Sequence, residues 1–216
     1  AYPKWKLVDE EADFEFWLQQ CDRKAVVGIR LSDATMRHRT YKVVHMPGSL
    51  RPTVARAMAF LSRPEEDNIV VDPVCGQGTL LIERALFGRY RLVMGGDIEP
   101  DVVQSALANF GRKHRPRGIC RWDAVCLPLR DASADRILAN LPWGHQIPAD
   151  IEPHYAQVLQ ETYRVLKSGG KGVFLTNQSR SFQNRLRLSE GLFEIERITE
   201  ISVLGRNADI FVVQKG

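Results

Sequence analysis

Three carboxylates in this 216-residue chain each close a short apolar run. Asp72 follows Ile69-Val70-Val71, Asp97 follows Leu92-Val93-Met94-Gly95-Gly96, and Asp123 follows Ile119-Cys120-Arg121-Trp122. After the first comes Pro73-Val74-Cys75-Gly76-Gln77-Gly78-Thr79 and then a helical pattern. A glycine turn between a strand and a helix lets backbone approach a ligand closely, and the helix start offers partial positive charge. The dinucleotide fingerprint would need a third glycine where Leu81 stands, and no Lys-Ser/Thr pair follows, so neither that motif nor the phosphate-cradling P-loop is present. Asp72 would repel a pyrophosphate but suits a ligand bearing an ammonium group. Asp97 stands 19 residues beyond Gly78, close to the spacing at which an acid reaches a ribose diol. On successive parallel strands the three acids would share one sheet edge, where doubly wound folds bind ligands. Singly, each could be a helix cap or a solvated loop acid. Jointly they fit an adenosine carrying a zwitterionic amino acid, which is S-adenosylmethionine.

A fourth apolar run, Arg136 to Ala139, leads into Asn140-Leu141-Pro142-Trp143-Gly144. The tetrapeptide resembles the fourth motif of class I methyltransferases that modify exocyclic amines, Asn/Asp/Ser-Pro-Pro-Tyr/Phe/Trp. A conjugated amino nitrogen is a poor nucleophile because its lone pair is delocalised. An Asn oxygen and the next backbone carbonyl can accept its two hydrogens and favour a pyramidal nitrogen, a gain mainly of position and electrostatics. Trp143 would stack on the extruded base, worth about 1–3 kcal/mol. Leu141 departs from the usual first proline, which suffices if that position contributes only its carbonyl.

The elements that must hold these residues alternate short strands with amphipathic stretches from about residue 69 onward, the pattern of βα units around a parallel sheet. Helices are expected over Leu80 to Phe87, around Val102 to Phe110 behind Pro100, and over Tyr155 to Leu166, the last stopped by Gly169-Gly170. Gly172 to Thr176 reads as a fifth strand, and Phe193 to Val203 with Ile210 to Val213 as an antiparallel hairpin. Upstream, Pro52 opens a helix through Leu61. Phe14 to Leu18 and Ala25 to Leu31 are strand-like but too few to make an independent core, so they must pack on the rest or on another domain. The expected organisation is a small β-rich linker subdomain, 1–47, and a methyltransferase domain, 48–216.

Taken with Ser49-Leu50-Arg51-Pro52-Thr53, the Asp72–Thr79 loop, Trp122-Asp123-Ala124 to Asp131, and Asn140–Gly144 are similar to the THUMP-associated RNA guanine-N2 methyltransferases. The resemblance covers essentially the whole chain. It implies an α/β, Rossmann-like class I fold, with a mostly parallel seven-stranded sheet and a C-terminal antiparallel hairpin. Asp72, Cys75, Gly76, Gly78 and Thr79 would surround the methionine moiety. Asp97 and Ile98 would hold the ribose, and Asp123 and Ala124 the adenine. Ser49, Pro52 and Thr53 would pack over the cofactor. Asn140, Leu141, Pro142 and Trp143 would hold the guanine, Asn140 also bordering the cofactor. The implied reaction converts S-adenosylmethionine to S-adenosylhomocysteine and methylates guanosine N2 in RNA, with tRNA the leading substrate. No metal or covalent nucleophile is implied, and Cys75 is expected to be a small packing residue. The same tetrapeptide serves adenine N6, cytosine N4 and glutamine amides, and a non-catalytic RNA-binding module is a further alternative. The family's RNA-binding THUMP domain lies upstream and has no counterpart here.

Composition admits this reading. Gly and Pro are at ordinary globular levels, the longest apolar runs are far too short to span a bilayer, and there is no low-complexity tract or internal repeat. Against 26 Asp and Glu stand 30 Lys and Arg, a net charge of +4 that permits a nucleic-acid partner without requiring one. Arg112-Lys113-His114-Arg115-Pro116-Arg117 could be a solvated helix end or a phosphate contact. Arg37-His38-Arg39, with Arg30 and Lys42, carries the same ambiguity, and His145 could touch substrate. Cys21, Cys75, Cys120 and Cys126 show neither zinc-ligand spacing nor a disulfide framework, so reduced and mostly buried thiols in a cytoplasmic protein are expected. The start Ala1-Tyr2-Pro3, without Met or an apolar leader, suggests a piece of a longer chain without a signal peptide.

Overall fold

In the computed structural model, residues 4, 14–30, 38–46, 48–143, 152–188, 191–203 and 205–216 are described. The chain divides into two compact units, Ala1–Arg39 and Thr40–Gly216. In the first, strands β1 (Glu15–Cys21) and β2 (Lys24–Arg30) form an antiparallel hairpin. Phe16 stands opposite Ile29 and Leu18 opposite Val27, and Arg30 pairs with Glu15 at 2.7 Å.

The second unit carries the alternation seen in the sequence. Its elements are α1 (Pro52–Leu61), β3 (Ile69–Asp72), α2 (Thr79–Ala85), β4 (Leu92–Asp97), α3 (Pro100–Phe110), β5 (Arg117–Arg121), β6 (Ala134–Asn140), α4 (Glu152–Val165), β7 (Leu166–Thr176), α5 (Ser179–Leu188), β8 (Phe193–Val203) and β9 (Arg206–Lys215). The sheet order is β5-β4-β3-β6-β7-β9-β8. The pairs through β7 are parallel, and β9 runs antiparallel to both its neighbours. Successive residues face opposite layers, so Val71, Ile137, Phe174 and Phe211 enter one apolar core and Val70, Leu138, Val173 and Ile210 the other. Each core is roofed by helices, which explains the near-continuous apolar strands.

Three differences from the sequence reading have local causes. Residues 40–46 pack with the second unit, so the contact boundary falls at Arg39/Thr40, earlier than the expected 47/48. Tyr41 Oη donates to Glu83 Oε1, and Val44 N–H donates to the buried Asn109 Oδ1. Next, α4 ends at Val165 and β7 begins at Leu166, before the glycine pair expected to stop the helix. The amides of Ala132 and Ser133 donate to the Arg164 and Val165 carbonyls, so the helix end is satisfied without a glycine cap. Gly169 instead makes a left-handed turn (φ 71°) within the strand, near the register shift between Ala134 and Arg136. Finally, α5 was not foreseen. Only Phe182 and Leu186 of its ten residues are buried, and Phe182 packs on Tyr155, Phe174 and Phe211 with ring centroids 5.0–5.6 Å apart. Among the described residues no helix is long and apolar enough to cross a membrane.

Candidate active site

Because β3, β4, β5 and β6 are parallel neighbours, their carboxyl ends emerge along one edge. Asp72 and Asp97 are the last residues of β3 and β4, Asp123 lies just past β5, and Asn140 ends β6. A cavity of about 500 Å³ opens there, walled by Gly76 and Gln77 of the β3–α2 loop, Asp97, Ile98 and Glu99 after β4, Asp123 and Ala124 after β5, and Asn140 and Pro142 after β6. Adjoining it, about 70 Å³ is enclosed by Ser49, Asp72, Cys75, Gly76, Gln77, Thr79 and Asn140.

Packing dictates the glycines around this edge. Gly78 caps α2 in the left-handed region (φ 77°), and a Cβ there would lie 2.9 Å from the Phe110 ring. At Gly96 a Cβ would lie 2.6 Å from the Trp122 ring, whose indole N–H donates to Pro73 O at 2.9 Å. That hydrogen bond clasps the β5 end to the loop after β3 and turns the chain so that Asp123 meets the cavity.

Each acid is held differently. Asp97 is fixed by two backbone donors, Gly76 N–H to Oδ2 (3.1 Å) and Glu99 N–H to Oδ1 (3.2 Å). Asp123 accepts the Val125 amide in a tight turn. Asp72 is 1% exposed, accepts one amide from Val74, and pairs with no cation among the described residues. Burial, with the Asp97 charge adding to it, pushes its carboxyl well above the ordinary range. Close by, Gln77 Oε1 and Thr79 Oγ1 are buried without a partner. An uncompensated carboxylate and two orphaned acceptors bordering one small cavity call for a ligand that brings donors and positive charge. Burial and the same carboxylates hold the Cys75 thiol in its neutral form, well above its usual range. Cys75 is also the one buried cysteine among the three whose side chains are described. Cys120, on the edge strand, and Cys126 are exposed, against the expectation of mostly buried thiols.

At the opposite wall, Asn140 Oδ1 accepts the Trp143 indole N–H at 3.3 Å. Trp143 does not line the cavity. It packs against the core with Leu50 and Val54, since Leu141 before it is fully buried and its amide continues the ladder to Leu175 O. Pro52 and Thr53, in the first turn of α1, and Gly78 also lie outside both cavities. Leu141, fully buried, likewise lines neither, and the remaining expected residues border one cavity or the other. Among those unforeseen are Met46, Gln77, Glu99 and His154. His154 sits in the first turn of α4, and its neighbour Tyr155 donates to Pro142 O (3.0 Å) while hydrogen-bonded to Thr176 (2.8 Å), which ties that turn to the Asn140 segment. His145 and Arg37 fall outside the described residues. Lys42 is engaged by Ser49 Oγ and Leu50 O, and Arg30 by Glu15.

Residues 39–206 match the family model described as RMKL-like, methyltransferase domain. The chain belongs to this methyltransferase family. Its curated relatives include the tRNA (guanine(6)-N(2))-methyltransferase THUMP3 of Bos taurus, 29% identical over 99% of this chain and 45% of the relative. The U6 snRNA (guanine-N(2))-methyltransferase THUMPD2 of Mus musculus is 32% identical over 81% of this chain and 32% of its own length. A tRNA (guanine(6)-N2)-methyltransferase of Methanocaldococcus jannaschii is 38% identical over 86% of this chain and 59% of its own. The chain spans about half the length of the first curated relatives it matches. Among solved structures, TrmN from Thermus thermophilus superposes with a TM-score of 0.77 over 94% of the chain and 60% of its own, at 23% identity. The methyltransferase domain is thus RMKL-like, and its motif resemblance to the THUMP-associated enzymes extends along the chain.

Proposed function

We propose that this domain transfers a methyl group from S-adenosylmethionine to the exocyclic N2 amine of a guanosine in RNA, and tRNA is the substrate to try first. The observation that carries the proposal is the Asn140–Pro142 segment meeting, in one cavity, the carboxylates that end β4 and follow β5. The relatives' activities point the same way.

The residues fit the cofactor. Buried Asp72 suits its ammonium group, with Gly76 admitting close backbone approach and the Gln77 and Thr79 oxygens able to accept donors. Cys75 fills space beside them. Asp97, with Ile98, would take the ribose hydroxyls, and Asp123, with Ala124, the adenine amino group. Ser49, on the linker laced down through Lys42, would cover the methionine end. When bound, the cofactor supplies an electrophilic methyl on a sulfonium sulfur.

The protein's own task is to present the nucleophile. Asn140 Oδ1 has a lone pair beyond the one engaged by Trp143, and it and the adjacent Leu141 carbonyl would accept the amine's hydrogens. This orients the nitrogen lone pair and excludes competing water, which lowers the barrier by position and electrostatics. His154 stands on the target side and would border the base. We place the enzyme in the cytoplasm, with RNA as its macromolecular partner.

Calorimetry with S-adenosylhomocysteine tests the first step, and folded protein that binds neither it nor S-adenosylmethionine would end the proposal. Labelled-methyl transfer to separated tRNA and small nuclear RNA pools, followed by nucleoside analysis, tests the second. N2-methylguanosine is the expected product, and label on adenine or cytosine would replace this reading.

A further inference from the structure

We propose that the loop joining α3 to β5, residues 111–116, with Arg117 behind it, is a second RNA-phosphate contact at the end of the sheet remote from the cavity. This rests on the RNA substrate proposed above. The topology sets its place. β5 runs parallel to β4 and delivers Asp123 at its carboxyl end, so the loop entering β5 lies at the amino end. The five residues of β5 separate loop from cavity by roughly 16 Å at about 3.3 Å per residue.

Arg112, Lys113 and Arg115 are exposed, His114 and Arg117 half-buried, and no carboxylate among the described residues pairs with any of them. Elsewhere some arginines do pair with carboxylates, Arg164 with Asp131 and Glu161 and Arg136 with Glu65, but none of those sits in a run of cations. The cluster is also held in shape. Arg117 lies over the Phe110 ring at 5.2 Å and donates to the Gly111 and Lys113 carbonyls, while His114 sits in the left-handed region (φ 56°) with its ring edge-on to Phe110. One cation of the cluster therefore clamps the backbone that presents the others. Mutual repulsion accompanies this: burial and then Arg115 lower the Arg117 pKa, and burial, Lys113 and Arg117 lower that of His114. Repulsion left unrelieved within the protein is relieved by a polyanion.

Beside the loop, Arg115, Arg117 and Ile119 help line a groove of about 770 Å³ along the open edge strand. A charged edge also discourages strand addition, but that requires one or two side chains, not a clamped cluster. Arginine forks grip phosphate oxygens bidentately and neutralise successive phosphates. The distance to the cavity then implies a substrate several nucleotides long, captured at one end of the sheet and modified at the other.

The test uses the full chain and the triple variant Arg112→Ala, Lys113→Ala, Arg115→Ala, leaving the Arg117 clamp intact. The KM for RNA should rise about tenfold at near-physiological salt, and the slope of log affinity against log salt should become shallower by about 2, as expected for three lost phosphate contacts. Affinity for S-adenosylhomocysteine should stay within about twofold. The double variant Arg112→Lys, Arg115→Lys should keep most of the slope. Unchanged KM and slope in the triple variant, while the parent methylates RNA, would overturn the surface alone. So would dependence on these residues for binding phosphatidylserine vesicles but not RNA. RNA binding that depends on the loop without methyl transfer would leave the surface standing and overturn the methylation reading.

Discussion

Asp72 is a carboxylate placed where, without a ligand, it is costly. Its folded-state pKa is raised by burial and by Asp97, so the folded protein holds that proton more tightly than the unfolded chain does. The stability linked to this group is present in full below the unfolded carboxylate value and is lost as pH rises through the raised folded value. Ligand-free protein should therefore melt at lower temperature as pH rises across that window. Asp72→Asn should flatten the trend, raising the neutral-pH midpoint by about 2–4 °C for each kcal/mol relieved, while weakening S-adenosylhomocysteine binding tenfold or more in calorimetry. A variant that bound the ligand normally would remove Asp72 from the cofactor site. Asn140 and Trp143 pose a different problem, because the indole N–H already occupies part of the oxygen that would meet the amine. Trp143→Phe keeps an aromatic ring at the position and removes the donor. It should cut kcat about tenfold with little change in cofactor affinity, the loss of one positioning hydrogen bond of about 1.4 kcal/mol. Unchanged kcat would mean that Asn140 needs no such support. Cys75→Ala should leave transfer largely intact, since a neutral buried thiol offers volume and not reactivity.

At the scale of elements, the site depends on how the linker is fastened to the glycine loop. Asn109, 3% exposed on α3, accepts the Val44 amide at 2.9 Å and donates to Gln77 O at 3.1 Å, and Gln77 Nε2 donates to Val44 O. One side chain thus sets both the loop after β3 and the segment leading to Met46 and Ser49. Asn109→Ala leaves two backbone groups unsatisfied. It should cost about 1–3 kcal/mol in thermal or denaturant unfolding and weaken cofactor binding severalfold, although the residue touches neither cavity. Loss of stability without loss of affinity would show that the linker does not shape the site. The helix–strand pattern was largely legible from β3 to β9 because most of these strands carry an apolar run or an apolar alternation closed by a turn or an acid. Helix α5 was not, since its two buried apolar residues, four apart in a polar segment, hold a helix only when aromatic rings from α4, β7 and β9 enclose one of them. The glycine pair after α4 misled for a related reason: backbone amides from residues 132 and 133 had already taken the carbonyls a glycine cap would serve.

For the molecule as a whole, a surplus of four charges is small, and its distribution matters more than its size. Carboxylates gather at the carboxyl ends of the strands, and the cations of residues 112–117, which meet no carboxylate among the described residues, gather at the amino end. Raising salt from about 50 to 200 mM should therefore weaken RNA binding steeply while cofactor affinity moves by less than about twofold, because the buried Asp72 contact is poorly screened. The acids, the glycine turn and the Asn140 tetrapeptide could be placed on one sheet edge from sequence because strand polarity alone puts every strand end there. The order of strands, the Leu141–Trp143 turn into the core, the position of His154 and the separation of the basic loop from the cavity could not. Those depend on which side chains win the space between sheet and helices. Local backbone preference and apolar patterning thus specify where a strand stops and what residue stands there, while the direction in which that residue points is decided by competition for volume and hydrogen bonds among segments far apart in the chain.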